Sequence, residues 1–159
     1  MRILGWVALF ASSVCWAKGM VSFEGFVDIE PGVSLYAKVT PGPPGAPIYV
    51  LLNGLTQDSD HWKDVVPFLK NKNATVVNID LALQGRSMVK RFDAEFSWTK
   101  PILKPLVLRG GLWDQEPVFQ PTSVEVQAKY VSILLKQLNI TTPVVLLGLS
   151  YGGALGLQV

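Results

Sequence analysis

The chain has 159 residues, 49% of them hydrophobic and 16% charged, with a formal charge of +2. That length suits one domain of ordinary size. The balance of charge argues against nucleic acid or an anionic membrane surface as a partner.

The first residues, MRILGWVALFASSVCWAKG, stand apart. Arg2 supplies a positive start, Ile3 to Val14 form a short apolar run, and Cys15-Trp16-Ala17 fits a small-x-small cleavage pattern. The run is too short for a transmembrane span, so residues 1–17 are expected to be a signal peptide that directs the protein to the periplasm or outside the cell. Cys15 is the only cysteine. A chain cleaved after Ala17 has no disulfide, no thiol nucleophile and no Cys-based metal site. His61 is the only histidine, which excludes a His-rich zinc site as well.

Two strand-like runs follow, Phe23–Ile29 and Val33–Thr40, split by Pro31-Gly32 and expected to pair as a hairpin. Pro41–Pro47, PGPPGAP, is a stiff loop. Ile48–Leu52, IYVLL, is apolar without alternation, as suits a strand buried on both faces of a parallel sheet. Ser59 or Asp60 is expected to cap a helix over Trp62–Leu69, with Trp62, Val65, Val66 and Leu69 on one stripe. Ala74–Ile79 reads as another buried strand ending at Asp80. The stretch 88–121 is a long loop or insertion holding Trp98, Trp113 and scattered basic residues; its length suggests a lid or rim. Nucleic-acid binding is disfavoured there, because no binding motif accompanies the basic residues. Thr122 and Glu125 read as a capping box. The helix after it carries Val124, Ala128, Val131, Leu134, Leu135 and Leu138 on its apolar face. Val144–Leu147 is a third buried strand, and a helix is expected from Gly152. Alternating β and α elements predict an α/β fold: a doubly wound, mostly parallel sheet with an N-terminal antiparallel hairpin.

Three Gly-rich readings compete for GLSYGGALG. A dinucleotide fingerprint fails, because Ser150 or Ala154 stands where its second glycine belongs. A P-loop fails, because Ala154-Leu155 replaces the lysine and hydroxyl residue. The third reading, G-x-S-x-G, is met by Gly148-Leu149-Ser150-Tyr151-Gly152, between a strand and a helix. A serine at the tip of such a turn is strained and lifted clear of the sheet. Side chains two positions to either side would strike neighbouring backbone, so both positions require glycine. The Tyr151 N–H is then placed to donate to an oxyanion.

Several segments resemble the N-terminal part of an α/β-hydrolase fold enzyme, from about Val33 to the C-terminus. YVLLNGLTQDSDHWKDVVPFL resembles the family's third strand, oxyanion loop and first helix. ATVVNIDLALQGRS resembles the next strand and its D-x-x-G-x-G-x-S turn, and VVLLGLSYGG the nucleophile elbow. The resemblance implies Ser150 as nucleophile and the backbone N–H groups of Tyr151 and Leu55 as oxyanion donors. It implies no cofactor and no metal. Asn53 stands where the family often has His, and Leu83 and Gln84 where Gly and His are common. Serine at 150 argues against the dehalogenase and epoxide-hydrolase branches, which are expected to use aspartate there.

A serine hydroxyl needs a base, itself held by a third group. In this family the order is Ser, then Asp or Glu, then His. None of the nine residues after Ser150 is an acid or a histidine. His61 lies within the first-helix segment and reads as a rim residue rather than the base. Asp58, Asp60 and Asp80 are likewise set aside as triad acids, with Asp80 shaping the turn after its strand. The resulting expectation is a sheet truncated after the elbow strand, inactive as it stands. The complete protein is expected to be an exported serine hydrolase of small-molecule carboxylic esters working through an acyl-enzyme. The alternatives are a non-catalytic hydrolase-derived binding protein, a degenerate gene product, or an acyltransferase using the same serine chemistry.

Overall fold

A computed structural model of the chain describes residues 19–90 and 123–159. The expected signal peptide and Thr122 lie outside the described residues, as does the 88–121 stretch beyond Lys90, with Trp98 and Trp113.

The strands are β1 (Phe23–Glu30), β2 (Val33–Thr40), β3 (Ile48–Leu52), β4 (Thr75–Ile79), β5 (Met88–Val89) and β6 (Val144–Gly148). The helices are α1 (Val65–Asn71), α2 (Val124–Gln137) and α3 (Tyr151–Gly156), with a 3-10 turn over Ser59–Trp62. One sheet takes the order β1-β2-β4-β3-β6, with β5 added beside β2. Pairing is parallel where β4, β3 and β6 meet. It is antiparallel at the β1–β2 hairpin and where β2 meets β4 and β5.

The IYVLL run explains why β3 is central. Ile48, Val50 and Leu52 face the larger core with Val77, Ile79, Val131, Leu134 and Leu155. Leu51 faces a smaller one with Leu69, Ala74 and Val76, and Tyr49 packs against it. A strand neighboured on both sides and covered on both faces has no room for polar alternation. Residues of α2 and α3 supply the larger core and those of α1 the smaller, so helices cover both faces, as expected for a doubly wound sheet.

The structure corrects four boundaries. The first helix does not run continuously from Trp62. A 3-10 turn capped by Asp58, whose carboxylate accepts from the Asp60 N–H (3.0 Å), precedes an α-helix that starts at Val65. Pro67 accounts for the late start. Its missing N–H and bulky ring are tolerated only in the first turn of a helix. The cap of α2 is Ser123, not Thr122. Ser123 Oγ accepts the Val126 N–H (3.2 Å), so Glu125 falls one position short of a capping box. The start of the long loop, Met88–Val89, is instead a two-residue strand on β2. Finally, α3 begins at Tyr151, one residue earlier than expected.

The face of α2 also holds a polar residue that its apolar periodicity does not announce. Gln127 is buried against the loop after β4. Its Oε1 accepts the Ala82 N–H (3.1 Å) and its Nε2 donates to the Ala82 carbonyl (3.0 Å). Among the described residues no helix is long and apolar enough to cross a membrane. Gln127→Leu is expected to lower the free energy of unfolding by about 2–4 kcal/mol, because it orphans two buried backbone groups. Urea denaturation measures this, and a loss below about 0.5 kcal/mol would show that Ala82 finds other partners.

Candidate active site

Three loops meet at the carboxyl ends of the parallel strands. The chain leaves β3 toward β4 on one side, while β6 lies on its other side. This is the topological switch point of the sheet, where open α/β folds form their ligand crevice. The loops are Asn53–Gln57 after β3, Asp80–Ser87 after β4, and the Leu149–Ser150 turn from β6 into α3.

Ser150 stands at φ 53°, ψ −114°, a conformation that costs a non-glycine residue about 1–3 kcal/mol. The side chain is exposed at the tip. Around it the backbone is tied down. The Leu149 N–H donates to the Leu52 carbonyl (3.1 Å), carrying the β3–β6 pairing beyond Gly148. The Gly152 N–H donates to the Leu149 carbonyl (2.9 Å), and those of Gly153 and Ala154 to the Ser150 carbonyl (2.9 and 3.3 Å). Both glycines of the motif are sterically required. A Cβ at Gly148 would lie 2.5 Å from the Gly153 nitrogen and closer still to the Gly152 carbonyl. One at Gly152 would lie 2.6 Å from the Leu52 carbonyl carbon and 2.7 Å from the Asn53 oxygen.

The oxyanion-loop candidate, Asn53-Gly54-Leu55, lies next to this turn. A Cβ on Gly54 would lie 3.3 Å from the Leu149 carbonyl oxygen. Gly54 to Gln57 close a turn in which the Gln57 N–H donates to the Gly54 carbonyl (3.3 Å), with Thr56 at φ 66°. Gln57 Oε1 accepts the Gly54 N–H in return (3.0 Å). No partner for the Leu55 N–H is found among the described residues. Asn53 is fully buried. Its Nδ2 donates to the Ile79 carbonyl (3.0 Å) and its Oδ1 accepts from Trp62 Nε1 (2.6 Å). The loop is thereby fastened to the end of β4 and to the 3-10 turn. The asparagine in place of the family's histidine makes the local bonds expected of it.

Asp80 organises the third loop. Its buried carboxylate accepts the Ser59 N–H at Oδ1 (2.6 Å) and the Arg86 N–H at Oδ2 (2.8 Å). Ser87 Oγ donates to its carbonyl (2.5 Å) and accepts the Tyr36 N–H (2.9 Å). Gly85, at φ 49°, passes directly under the carboxylate; a Cβ there would lie 2.8 Å from Oδ1 and closer still to Oδ2. Leu83 takes the left-handed conformation, φ 65°, in the place where the family commonly has glycine. Its side chain is buried in the larger core, which offsets the backbone cost.

The other weighed residues are engaged elsewhere. His61 is exposed on the 3-10 turn, edge-on to Trp62 (6.0 Å between ring centroids). Asp60 pairs with Arg86 (2.8 Å) and Asp58 serves as a cap. The Tyr151 ring packs against the larger core. Its hydroxyl is raised above the ordinary tyrosine pKa by burial, and further by the negative charge of Glu125. It therefore stays neutral at physiological pH. Gln57 and Gln84 escaped the reading of the sequence as residues that shape the site. The only signal for Gln57 was an amide three positions after Gly54 in a turn-forming stretch.

No family model matches the sequence, and no curated protein matches it. Solved structures match the fold. An α/β-hydrolase enzyme from a Medee basin deep-sea metagenome library superposes with a TM-score of 0.56 at 20% identity, over 84% of this chain and 38% of the other. A 2-hydroxy-6-oxo-6-phenylhexa-2,4-dienoate hydrolase from Rhodococcus sp. strain RHA1 gives 0.58 at 22%, over 89% and 41%. Epoxide hydrolase A from Mycobacterium thermoresistibile gives 0.58 at 16%, over 86% and 34%. The chain has the α/β-hydrolase fold. It spans between about a third and two fifths of the length of these three neighbours.

The steric account separates neighbouring glycines. Gly152→Ala is expected to destabilise the protein by about 3 kcal/mol or more. Gly153→Ala places its methyl 3.5 Å from the Gly148 oxygen, an ordinary contact, and is expected to be neutral or up to about 1 kcal/mol stabilising through helix propensity. Thermal unfolding of the two variants side by side checks this; equal behaviour would contradict it.

Proposed function

We propose that the protein carrying this sequence is an exported serine hydrolase of small-molecule carboxylic esters, with Ser150 as nucleophile. The observation that supports this reading most is the conformation of Ser150 on a strand-to-helix turn beside the Asn53-Gly54-Leu55 loop. In the proposed reaction Ser150 Oγ attacks the ester carbonyl carbon as a base takes its proton. The C=O pair moves onto oxygen, and the Leu55 and Tyr151 N–H groups stabilise that charge. Collapse expels the alcohol, which leaves with a proton, and forms the acyl-enzyme. Water then releases the acid by the same steps.

His61 is the only histidine among these 159 residues and is exposed beside Trp62. In this reading His61 is not the base, and these 159 residues do not by themselves turn over ester; the neighbours they match are longer chains. The apolar run before Ala17 supports export.

The test is covalent labelling. A fluorophosphonate probe is expected to modify Ser150 of the full-length protein, and Ser150→Ala to abolish both labelling and p-nitrophenyl acetate turnover. By analogy with triad removal in other serine hydrolases, kcat should fall by roughly 10⁴-fold or more. A folded, unlabelled protein would favour a non-catalytic, hydrolase-derived binding protein. Acyl transfer to an added alcohol, at the expense of hydrolysis, would move the reading to an acyltransferase.

A further inference from the structure

Gln84 sits in the turn after β4 and is only 3% exposed. Its backbone is held at both ends: its N–H donates to the Leu81 carbonyl (3.0 Å) and its carbonyl accepts the Ser87 N–H (3.1 Å). With the side-chain amide oriented so that it meets acceptors rather than opposing them, Nε2 donates to the Gln57 carbonyl (2.7 Å) and to the Gly54 carbonyl (2.9 Å). The Gln57 N–H reaches the same Gly54 oxygen (3.3 Å). That oxygen therefore holds two donors, one for each lone pair.

The consequence lies in the next atoms of the chain. The described peptide bonds are all trans, and a trans peptide is planar, with its C=O and N–H pointing in opposite directions. The carbonyl of Gly54 and the N–H of Leu55 belong to one such plane. Holding the oxygen toward Gln84 turns the Leu55 N–H the other way. That N–H has no partner among the described residues, and Gly54 abuts the Leu149 carbonyl, next to Ser150.

The geometry points to Gln84 as a positioning residue: its side-chain amide clamps the Gly54 and Gln57 carbonyls and so orients the Leu55 N–H as an oxyanion donor. This rests on the serine-hydrolase reading above. Gln84 does not touch the substrate. Without its amide, the Gly54–Leu55 plane is held by the Gln57 N–H alone and is freer to rotate. A rotated plane offers an oxygen where negative charge forms. The penalty falls on the transition state, since the substrate carbonyl carries little charge before attack.

Gln84→Met removes both donors at similar side-chain length, and Gln84→Glu keeps the shape while placing carboxylate oxygen against two carbonyls. In the full-length protein, kcat on p-nitrophenyl acetate is expected to fall roughly ten- to hundredfold for Met and further for Glu. KM should stay within about twofold, and fluorophosphonate labelling should slow in step. Amide hydrogen exchange over residues 53–57 should quicken while α1 is unchanged. If Met does not fold, as judged by circular dichroism, Glu carries the test. A folded variant with kcat within twofold of wild type, or with its loss confined to KM, overturns the role. Wild-type protein labelled at Ser150 at the same rate as the variants overturns this role alone. Wild-type protein left unlabelled withdraws the serine reading, and the role of Gln84 falls with it.

Discussion

The backbone of Gly152 lies directly on the carbonyls of Leu52 and Asn53, at a distance that no side chain permits. That contact sets the height of α3 above the sheet. It lets the first turn of α3 settle onto the end of β3, so that the Leu149–Ser150 turn comes down beside the loop that starts at Asn53. The strain at Ser150 is sustained because its neighbours are over-determined. The Leu149 N–H is bonded to β3, the Ser150 carbonyl accepts two N–H groups, and Leu155 is fully buried one turn further on. A residue with a Cβ at 152 would lift α3 away, and both the strain and the juxtaposition of the two loops would relax.

A second constraint is polar and acts at the same strand ends. Buried carboxylate and amide groups are expensive unless satisfied, and here most are used as fasteners. Asp80 joins the 3-10 turn to the Gly85–Arg86 bend, and Asn53 joins β4 to Trp62. Gln127 reaches from α2 to Ala82. Asn78 is the exception. Its Nδ2 donates to the Ser59 carbonyl (2.8 Å), while its Oδ1 is buried without a partner among the described residues. Together these side chains fasten the loops after β3 and β4 to each other and to α2, although each loop is short and irregular taken alone.

What was legible in the sequence was whatever local sterics and periodicity decide. IYVLL and ATVVNI read as buried strands because burial on both faces leaves no polar alternation. VVLL carries the same pattern, which predicts a third buried strand, but it ends the strand order among the described residues and its side chains are half-buried or exposed. The glycine at 148 announces the elbow because a Cβ there collides with Gly152 and Gly153, a few residues on, whereas the one at 152 is required by Leu52 and Asn53 and was legible only as part of the G-x-S-x-G pattern. What was not legible depends on partners distant in sequence. Leu83 adopts a left-handed backbone that only its burial in the core supports. Met88–Val89 is too short to show a period and becomes a strand only because β2 offers a free edge beside Val33 and Ser34. The spacing to Glu125 predicts Thr122 as the cap, but the helix starts at Val124, which makes Ser123 the cap. Gln57 looks like an ordinary surface glutamine, and Gln84 like no more than a departure from the turn motif, until the fold brings the loops after β3 and β4 together.

The same frame supports different substrates in its neighbours, among them an epoxide and a phenylhexadienoate, at identities of 16–22%. Fold alone therefore carries little information about chemistry. The elbow explains how one frame accommodates this. Its backbone dictates glycine at 148 and 152 by contact, whereas the residue at 150 is exposed and is constrained by its strained backbone rather than by packing in the core. Side chains that tolerate this backbone can therefore be exchanged there without repacking the core. Oxyanion donors are different, because they are backbone groups and cannot be exchanged by substitution. They are tuned through whatever holds their peptide planes, and here Gln57 and Gln84 hold the Gly54–Leu55 plane, the one proposed to supply a donor. In the proposed reaction serine at 150 sets the kind of chemistry, and the glutamines behind the Asn53–Gln57 loop set how well its developing charge is met.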